Sequence, residues 1–413
     1  MKNRKILACR LCLCREMNNI IDFGHVPLGN NLQKNVHLAN SVKTYPLAVQ
    51  KCKKCDHYQL TYEVSPHDLY AKNYTYLSSV GNTFKEHLGK YSLWSIKKCN
   101  LKKKSLVLDI GSNDGTCLSY FKKNKMRVLG VDPAKLPAKI ANENKIDTIN
   151  DFFNSKTVEY IKSQYGSVDF ITSHNVLAHV SNIREVFIGV YELLKKDGYF
   201  CFEVGYFLRV IQKNLFDTIY HEHLDYHHAR PIVSFLKGLG FSVITISQNN
   251  IQGGSIRLLC KKDYKYRILK QPKEFIKREG KLFKKKKYFI KSWPKYIYQN
   301  MNKINQYITN LDNKHKIVYG YGAPTKATLF IKLCKLSNRV PFVIEDNGLK
   351  QNKYLPKTKI KIVGDKILNK SHPDLIIVFA WNFISDIISN LKRKNIKNIV
   401  VISPLPKFRL YKI

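Results

Sequence analysis

The stretch SLVLDIGSNDGTCLSYFKK, Ser105 to Lys123, followed by RVLGVDPA, limits the fold more than any other part of the chain. Leu106, Val107, Leu108 and Ile110 form an apolar run without polar alternation, which describes a strand buried on both faces of a parallel sheet. The turn from Gly111 to Gly115 then enters a helix, and a second strand ends on Asp132. Glycines at such a turn let backbone approach a bound nucleoside, and an acidic residue closing the second strand can accept both hydroxyls of a ribose. Asp109, Gly111 and Asn113 at the first turn, and Asp132 at the second, are therefore candidate cofactor-binding residues.

Further strands are expected at Val168–Ser173, Tyr199–Val204, 241–246 and 255–260. Five parallel-type units closed by a strand pair is the layout of S-adenosylmethionine-dependent methyltransferases. The loop GSNDG lacks the G-x-G-x-x-G spacing of dinucleotide enzymes, which favours the methyl donor. Asn175, just beyond the strand at Val168–Ser173, would lie near the methionine or the substrate, and Asp151 near the adenine.

At 413 residues the chain exceeds one ordinary core. The reading is α/β with three domains: residues 1–68, 69–261 and 262–413, the last a second Rossmann-like unit. There, KIVYGYGAPTKATLF gives strand, glycine turn and helix, and PFVIED ends on Glu345 and Asp346. The third glycine of a dinucleotide fingerprint is missing, so APTK could instead hold a diphosphate through Lys326. The basic stretch before it reads as helix broken at Pro294.

Lys and Arg number 71 against 30 Asp and Glu, a formal charge of +41. The excess is spread along the chain beside Asn and Ile, which fits a lysine-rich composition better than one binding face; Lys277 to Lys291 is the dense exception. A zinc-containing RNA-modifying methyltransferase is the alternative that this charge supports. The apolar run Ile6 to Ala8 is short of the roughly 7–15 residues of an export signal, and no stretch reaches the ~18 of a spanning helix. A cytoplasmic, monomeric protein without membrane or nucleic-acid partner is expected.

In a reducing compartment cysteines serve more often as ligands than as disulfides. CRLC supplies Cys9 and Cys12, and CKKC supplies Cys52 and Cys55. Two such knuckles can close four thiolates tetrahedrally on Zn2+, leaving no open position, so the metal would be structural. The interval from Cys12 to Cys52 exceeds the usual ~15–20 residues, and Cys14 competes with Cys12.

The segment TIYHEHLDYHH, Thr218 to His228, gathers four histidines, groups that titrate near neutrality. His221 and His223 could form an H-x-H metal pair if this were strand, and His227 and His228 are expected at the surface.

With GHVPLGNNL, YPLAVQKCKKCDHYQL, YTYLSSVGNTFKEH, VLDIGSNDG, GVDPA, HNVLAHV, YHEHLDY, GGSIRLL, YGYGAPTKATLFI and FAWNF in this order, the chain resembles the nucleotide-sugar C-methyltransferase family over nearly its whole length. The resemblance implies a zinc-binding amino-terminal domain, a central methyltransferase domain and a carboxy-terminal α/β domain. It implies transfer of a methyl group from S-adenosylmethionine to carbon of a nucleoside-diphosphate 4-keto sugar. It points to His223 as the base, with Tyr220 and Glu222 orienting the sugar or polarising its carbonyl, and His179 stabilising an enolate oxygen. Tyr76, and less directly Tyr74, would reach the substrate from the edge of the zinc domain. Asn113 and Asp114 match that family's own version of the glycine loop.

Overall fold

The structure is a computed structural model and describes residues 3–70, 77–79, 81–263, 267–312 and 316–413. By its internal contacts the chain divides into two units. The first comprises residues 1–18, 50–207 and 224–285; the second comprises 19–49, 208–223 and 286–413.

The first unit is built on seven strands: β1 Leu106–Ile110, β2 Arg127–Val131, β3 Thr148–Ile149, β4 Val168–His174, β5 Leu194–Gly205, β6 Phe241–Asn249 and β7 Ser255–Lys262. Their order is β6-β7-β5-β4-β1-β2-β3, and β7 alone runs against its neighbours. All five residues of β1 are buried, as an apolar run in the middle of a parallel sheet requires. Leu88 and Tyr91 of the helix Asn82–Cys99 pack with Leu118 and Phe121 of the helix Thr116–Lys123 over Val107, Phe170 and Leu259 of the sheet. The strand order reverses between β1 and β4, so the carboxyl ends of these strands form the crevice where such sheets take ligands. The short β3 was not expected from the sequence; its two residues are too few to show a period.

The second unit contains a six-stranded sheet. Its strands are β8 Val318–Tyr321, β9 Phe342–Ile344, β10 Lys361–Val363, β11 Leu375–Val378, β12 Val400–Ser403 and β13 Arg409–Lys412, in the order β10-β9-β8-β11-β12-β13, with only the edge strand β13 antiparallel. This is the second Rossmann-like sheet that the sequence suggests.

The helix Lys270–Asp312 runs through Pro294 without a break, correcting the expected stop. Proline in a helix interior costs ~3 kcal/mol. Ile290, Trp293, Ile297, Met301, Ile304 and Ile308 recur on one face of this helix and are buried. At about 1.5–3 kcal/mol for each such side chain, their burial outweighs the lost hydrogen bond. The Trp293 indole also donates to Asn214 Oδ1 at 2.7 Å.

Candidate active site

At the crevice of the first unit, Gly111 has φ +71° and a Cβ there would lie 2.2 Å from Val176 Cγ2, so only glycine fits. Asn113 also takes a left-handed conformation, φ 52°. The Asp132 carboxylate ties the turn down: Asn113 N donates to Oδ2 at 2.9 Å and Ala134 N donates to Oδ1 at 2.8 Å. Burial raises the Asp132 pKa against those two amides. Asn113 Oδ1 accepts from Ser78 N and Asp114 Oδ2 accepts from Ser79 N, so residues 78 and 79 lie against the turn.

Three buried polar atoms at this edge lack a hydrogen-bond partner among the described residues: Asp109 Oδ1, Ser112 Oγ and Asn175 Nδ2. Burial, with Asp132 nearby, pushes Asp109 well above the usual carboxylate range. Buried polar groups without partners are costly, so a donor-and-acceptor set of this kind fits a polar ligand that completes it. A cationic ligand would also restore the Asp109 charge. Asp109, Gly111, Asn113, Asp132 and Asn175 are thus brought to one edge. Asp151 is exposed and accepts from its neighbour Phe152 N.

His179 follows β4 and is half-buried. The loop that carries it is pinned by carbonyls: Ala178 O accepts from Leu224 N at 2.7 Å, Ser181 O from Arg10 Nη1 at 3.0 Å, and Val180 O from Arg10 Nη2. Arg10 Nε also donates to both oxygens of the buried Asp225 at 3.0 Å, and His57 Nε2 lies 2.8 Å from Asp225 Oδ1. Against the opposing effect of burial, Arg10 and His57 hold Asp225 down to about 2.

Arg10 sits inside the first knuckle, which couples the loop to the cysteines. The Sγ atoms of Cys9, Cys12, Cys52 and Cys55 all lie within 4.8 Å of one another, with Cys9–Cys55 and Cys12–Cys52 at 3.5 Å. Four sulfurs at ~2.3 Å from one zinc would stand about 3.8 Å apart, close to this spacing. The distances are too long for an S–S bond of ~2.05 Å. Cys12 N donates to Cys9 Sγ and Cys55 N to Cys52 Sγ, the local hydrogen bonds of two knuckles. Among the described residues this is the one metal-competent group, and Cys14 stands outside it.

Glu203, at the end of β5, is a buried hub that the sequence reading missed. It accepts from Arg257 Nε at 2.5 Å and Asn249 Nδ2 at 3.2 Å, and His87 Nε2 lies 2.7 Å from it. An acid closing a buried strand in FEV was the available signal.

In the second unit, Tyr220, His221, Glu222 and His223 lie in a turn, not on a strand. His223 Nδ1 donates to Thr218 O at 2.8 Å, so in the neutral ring Nε2 accepts from Tyr220 Oη, 2.9 Å away. Burial lowers the His223 pKa to about 4. Glu222 is buried and pushed up to about 7 by that burial, against Asn30 and Lys350. His221 directs Nε2 to Tyr45 O at 3.3 Å, so the two imidazoles serve different carbonyls from a turn rather than lining one side of a strand. His227 and His228 are buried, correcting the expected surface position. His228 Nδ1 meets Glu279, whose carboxylate caps the helix Ala229–Gly238 by accepting from Ala229 N and Arg230 N. Lys326 is engaged by Asp217 Oδ2 at 3.1 Å and lies over the Trp381 ring at 4.0 Å. Tyr76 and Tyr74 lie outside the described residues.

Three family models match the chain in order: "Putative zinc binding domain" over residues 9–70, "Methyltransferase domain" over 87–246 and "C-methyltransferase C-terminal domain" over 250–406. The C-methyltransferase NovU of Streptomyces niveus is 29% identical over 409 residues, covering 98% of this chain and 97% of that protein. Among solved structures, magnesium protoporphyrin IX methyltransferase (ChlM) from Synechocystis PCC 6803 with bound S-adenosylmethionine aligns at TM-score 0.34 and 14% identity, covering 43% of this chain and 79% of that one. YcgJ protein from Bacillus subtilis aligns at TM-score 0.34 and 17% identity, covering 43% and 99%. Structural likenesses of that size carry no weight for function. No helix among the described residues is long and apolar enough to cross a membrane.

Proposed function

We propose that this chain, an S-adenosylmethionine-dependent C-methyltransferase with an amino-terminal zinc-binding domain, methylates a carbon beside the ketone of a nucleotide-linked 4-keto-deoxysugar. The observation that carries the reading is the placement of His223, with Nδ1 2.8 Å from Thr218 O and Nε2 2.9 Å from the Tyr220 hydroxyl, a setting that puts the lone pair of a neutral imidazole on Nε2. Carbon becomes nucleophilic only when the proton beside a carbonyl is removed, and a neutral, oriented histidine can take that proton. In this reading Tyr220 and Glu222 orient the sugar or polarise its carbonyl, and His179, on its pinned loop, stabilises the enolate oxygen.

S-adenosylmethionine supplies the electrophilic methyl. Asp109 Oδ1 and Asn175 Nδ2 would complete their hydrogen bonding on its methionine portion, and Asp132 would accept from the ribose with the lone pairs its two backbone amides leave. Zinc on Cys9, Cys12, Cys52 and Cys55 would be structural, since four protein ligands close its coordination.

Asp132→Ala is expected to weaken S-adenosylhomocysteine binding by about one to three orders of magnitude, because it removes charge-assisted bonds and releases the turn at Asn113. Calorimetry measures this, and unchanged affinity would move the ribose elsewhere. The substrate reading is tested by incubation with S-adenosylmethionine and a panel of 4-keto-6-deoxy nucleotide sugars, following the mass gain of one methylene. Methyl transfer to RNA, with no sugar modified, would overturn it in favour of the RNA-modifying alternative.

A further inference from the structure

We propose that Asn30 and Thr325 are positioning residues that hold the Glu222 carboxyl in its working orientation. The inference rests on Glu222 being a group that meets the substrate. Asn30 Nδ2 donates to Glu222 Oε1 at 2.9 Å, and Thr325 Oγ1 donates to Asn30 Oδ1 at 2.8 Å. An ionised carboxylate only accepts, so the amide must turn its nitrogen to Glu222; its carbonyl then needs a donor, which the Thr325 hydroxyl supplies. The chain Thr325–Asn30–Glu222 fixes a side chain that burial alone would leave costly and unoriented.

The backbone is built for this contact. A Cβ on Gly29 would lie 2.1 Å from Thr325 O, so the turn carrying Asn30 rests directly on the loop after β8. That loop is itself held, with Ala323 N donating to Glu345 Oε2 at 2.8 Å and Lys350 Nζ donating to Ala323 O at 3.0 Å. Its next residue, Lys326, grips Asp217, which also accepts from the Trp381 indole at 2.6 Å. The sequence APTK therefore brackets the segment 217–222 at both ends: Lys326 takes Asp217 directly, and Thr325 takes Glu222 through Asn30.

The groups that bear on Glu222 from other elements are the Asn30 amide and the Lys350 ammonium, both favouring its charge, while burial opposes it and pushes it up to about 7. On its own segment His221 and His223 are directed to Tyr45 O and Thr218 O. Removing the donor at Asn30 therefore raises the Glu222 pKa. Removing the Thr325 hydroxyl frees the amide to turn and does the same more weakly.

The test titrates Glu222 in the full-length protein without substrate, by infrared difference spectra taken against Glu222→Gln. Asn30→Leu is expected to move the carboxyl midpoint up by about 1 to 2 pH units and Thr325→Val by about 1, the scale of losing a hydrogen bond to a charged group. Thr325→Ser should restore the original midpoint. Thr325→Val also serves where Asn30→Leu does not fold. Midpoints that stay within the wild-type value in both Asn30→Leu and Thr325→Val would overturn the inference. Methyl transfer by Glu222→Gln tests the reading beneath it separately: a rate and pH profile equal to wild type would remove Glu222 from the substrate, whatever the titration shows.

Discussion

His223→Asn is expected to slow methylation by about 10²–10⁴, the range a positioned general base contributes. The physical reason lies in one hydrogen bond and in the burial of the ring. Thr218 O accepts the hydrogen bond from Nδ1–H, so Nε2 carries the lone pair, and burial holds the imidazolium pKa to about 4, keeping the ring neutral at pH 7. Asparagine keeps polarity and approximate size but cannot take up the proton. A second readout separates base from scaffold: supplied with sugar and S-adenosylhomocysteine, which has no methyl to give, the wild-type protein should exchange the proton beside the ketone with solvent deuterium. His223→Asn should lose exchange and methylation together. His179→Asn should slow both by about 10²–10³, as removal of one oxyanion donor does. His221→Asn should do far less, because its ring is directed to Tyr45 O. Full methylation by His223→Asn would move the base to Tyr220 or His221.

Much of this was legible in the sequence, for reasons that differ from residue to residue. The buried run of β1, the left-handed glycine and the acid directly after β2 have local signatures, so the crevice of the first unit could be drawn from residues 105 to 132. Two Cys-x-x-Cys pairs are equally local, although nothing in their spacing says that the pairs meet; the sulfur distances do. What stayed hidden depends on contacts across long separations. Arg10 reads as a loose basic residue inside CRLC, yet it is bound to Asp225 and to the carbonyls at 180 and 181. His227 and His228 look like the polar end of a loop, yet they are buried because Asp225, Glu279 and the backbone at Asp56 surround them. Pro294 has a strong local meaning that tertiary burial of Trp293 and its neighbours overrides. Asn30 and Thr325 are ordinary turn residues until their side chains are seen to meet.

The cysteine cluster should show its effect at a distance from the metal. Metal analysis of the purified protein is expected to find one zinc per chain, lost in Cys52→Ser with Cys55→Ser, because two oxygens in place of thiolates leave a soft, four-sulfur site incomplete. Structural zinc in small peptides is worth ~10–16 kcal/mol of apparent folding free energy, so its loss should disorder the segment around the knuckles. Arg10 lies between Cys9 and Cys12, and its guanidinium holds the carbonyls of Val180 and Ser181, which directly follow His179. Disorder there leaves Asp225 as a buried charge that has lost a partner, a change of about 3–5 kcal/mol in comparable buried pairs. Methylation should therefore fall steeply although neither cysteine touches substrate. Binding of S-adenosylhomocysteine should persist, since Asp109, Gly111, Asn113 and Asp132 are organised by β1, β2 and their turns. Arg10→Ala should reproduce the loss of methylation while retaining zinc, which separates the metal from the lever it holds. A zinc-free double variant with wild-type methylation would show that the loop at His179 keeps its shape without the knuckles, and a protein that never contains zinc would remove the metal from the account altogether.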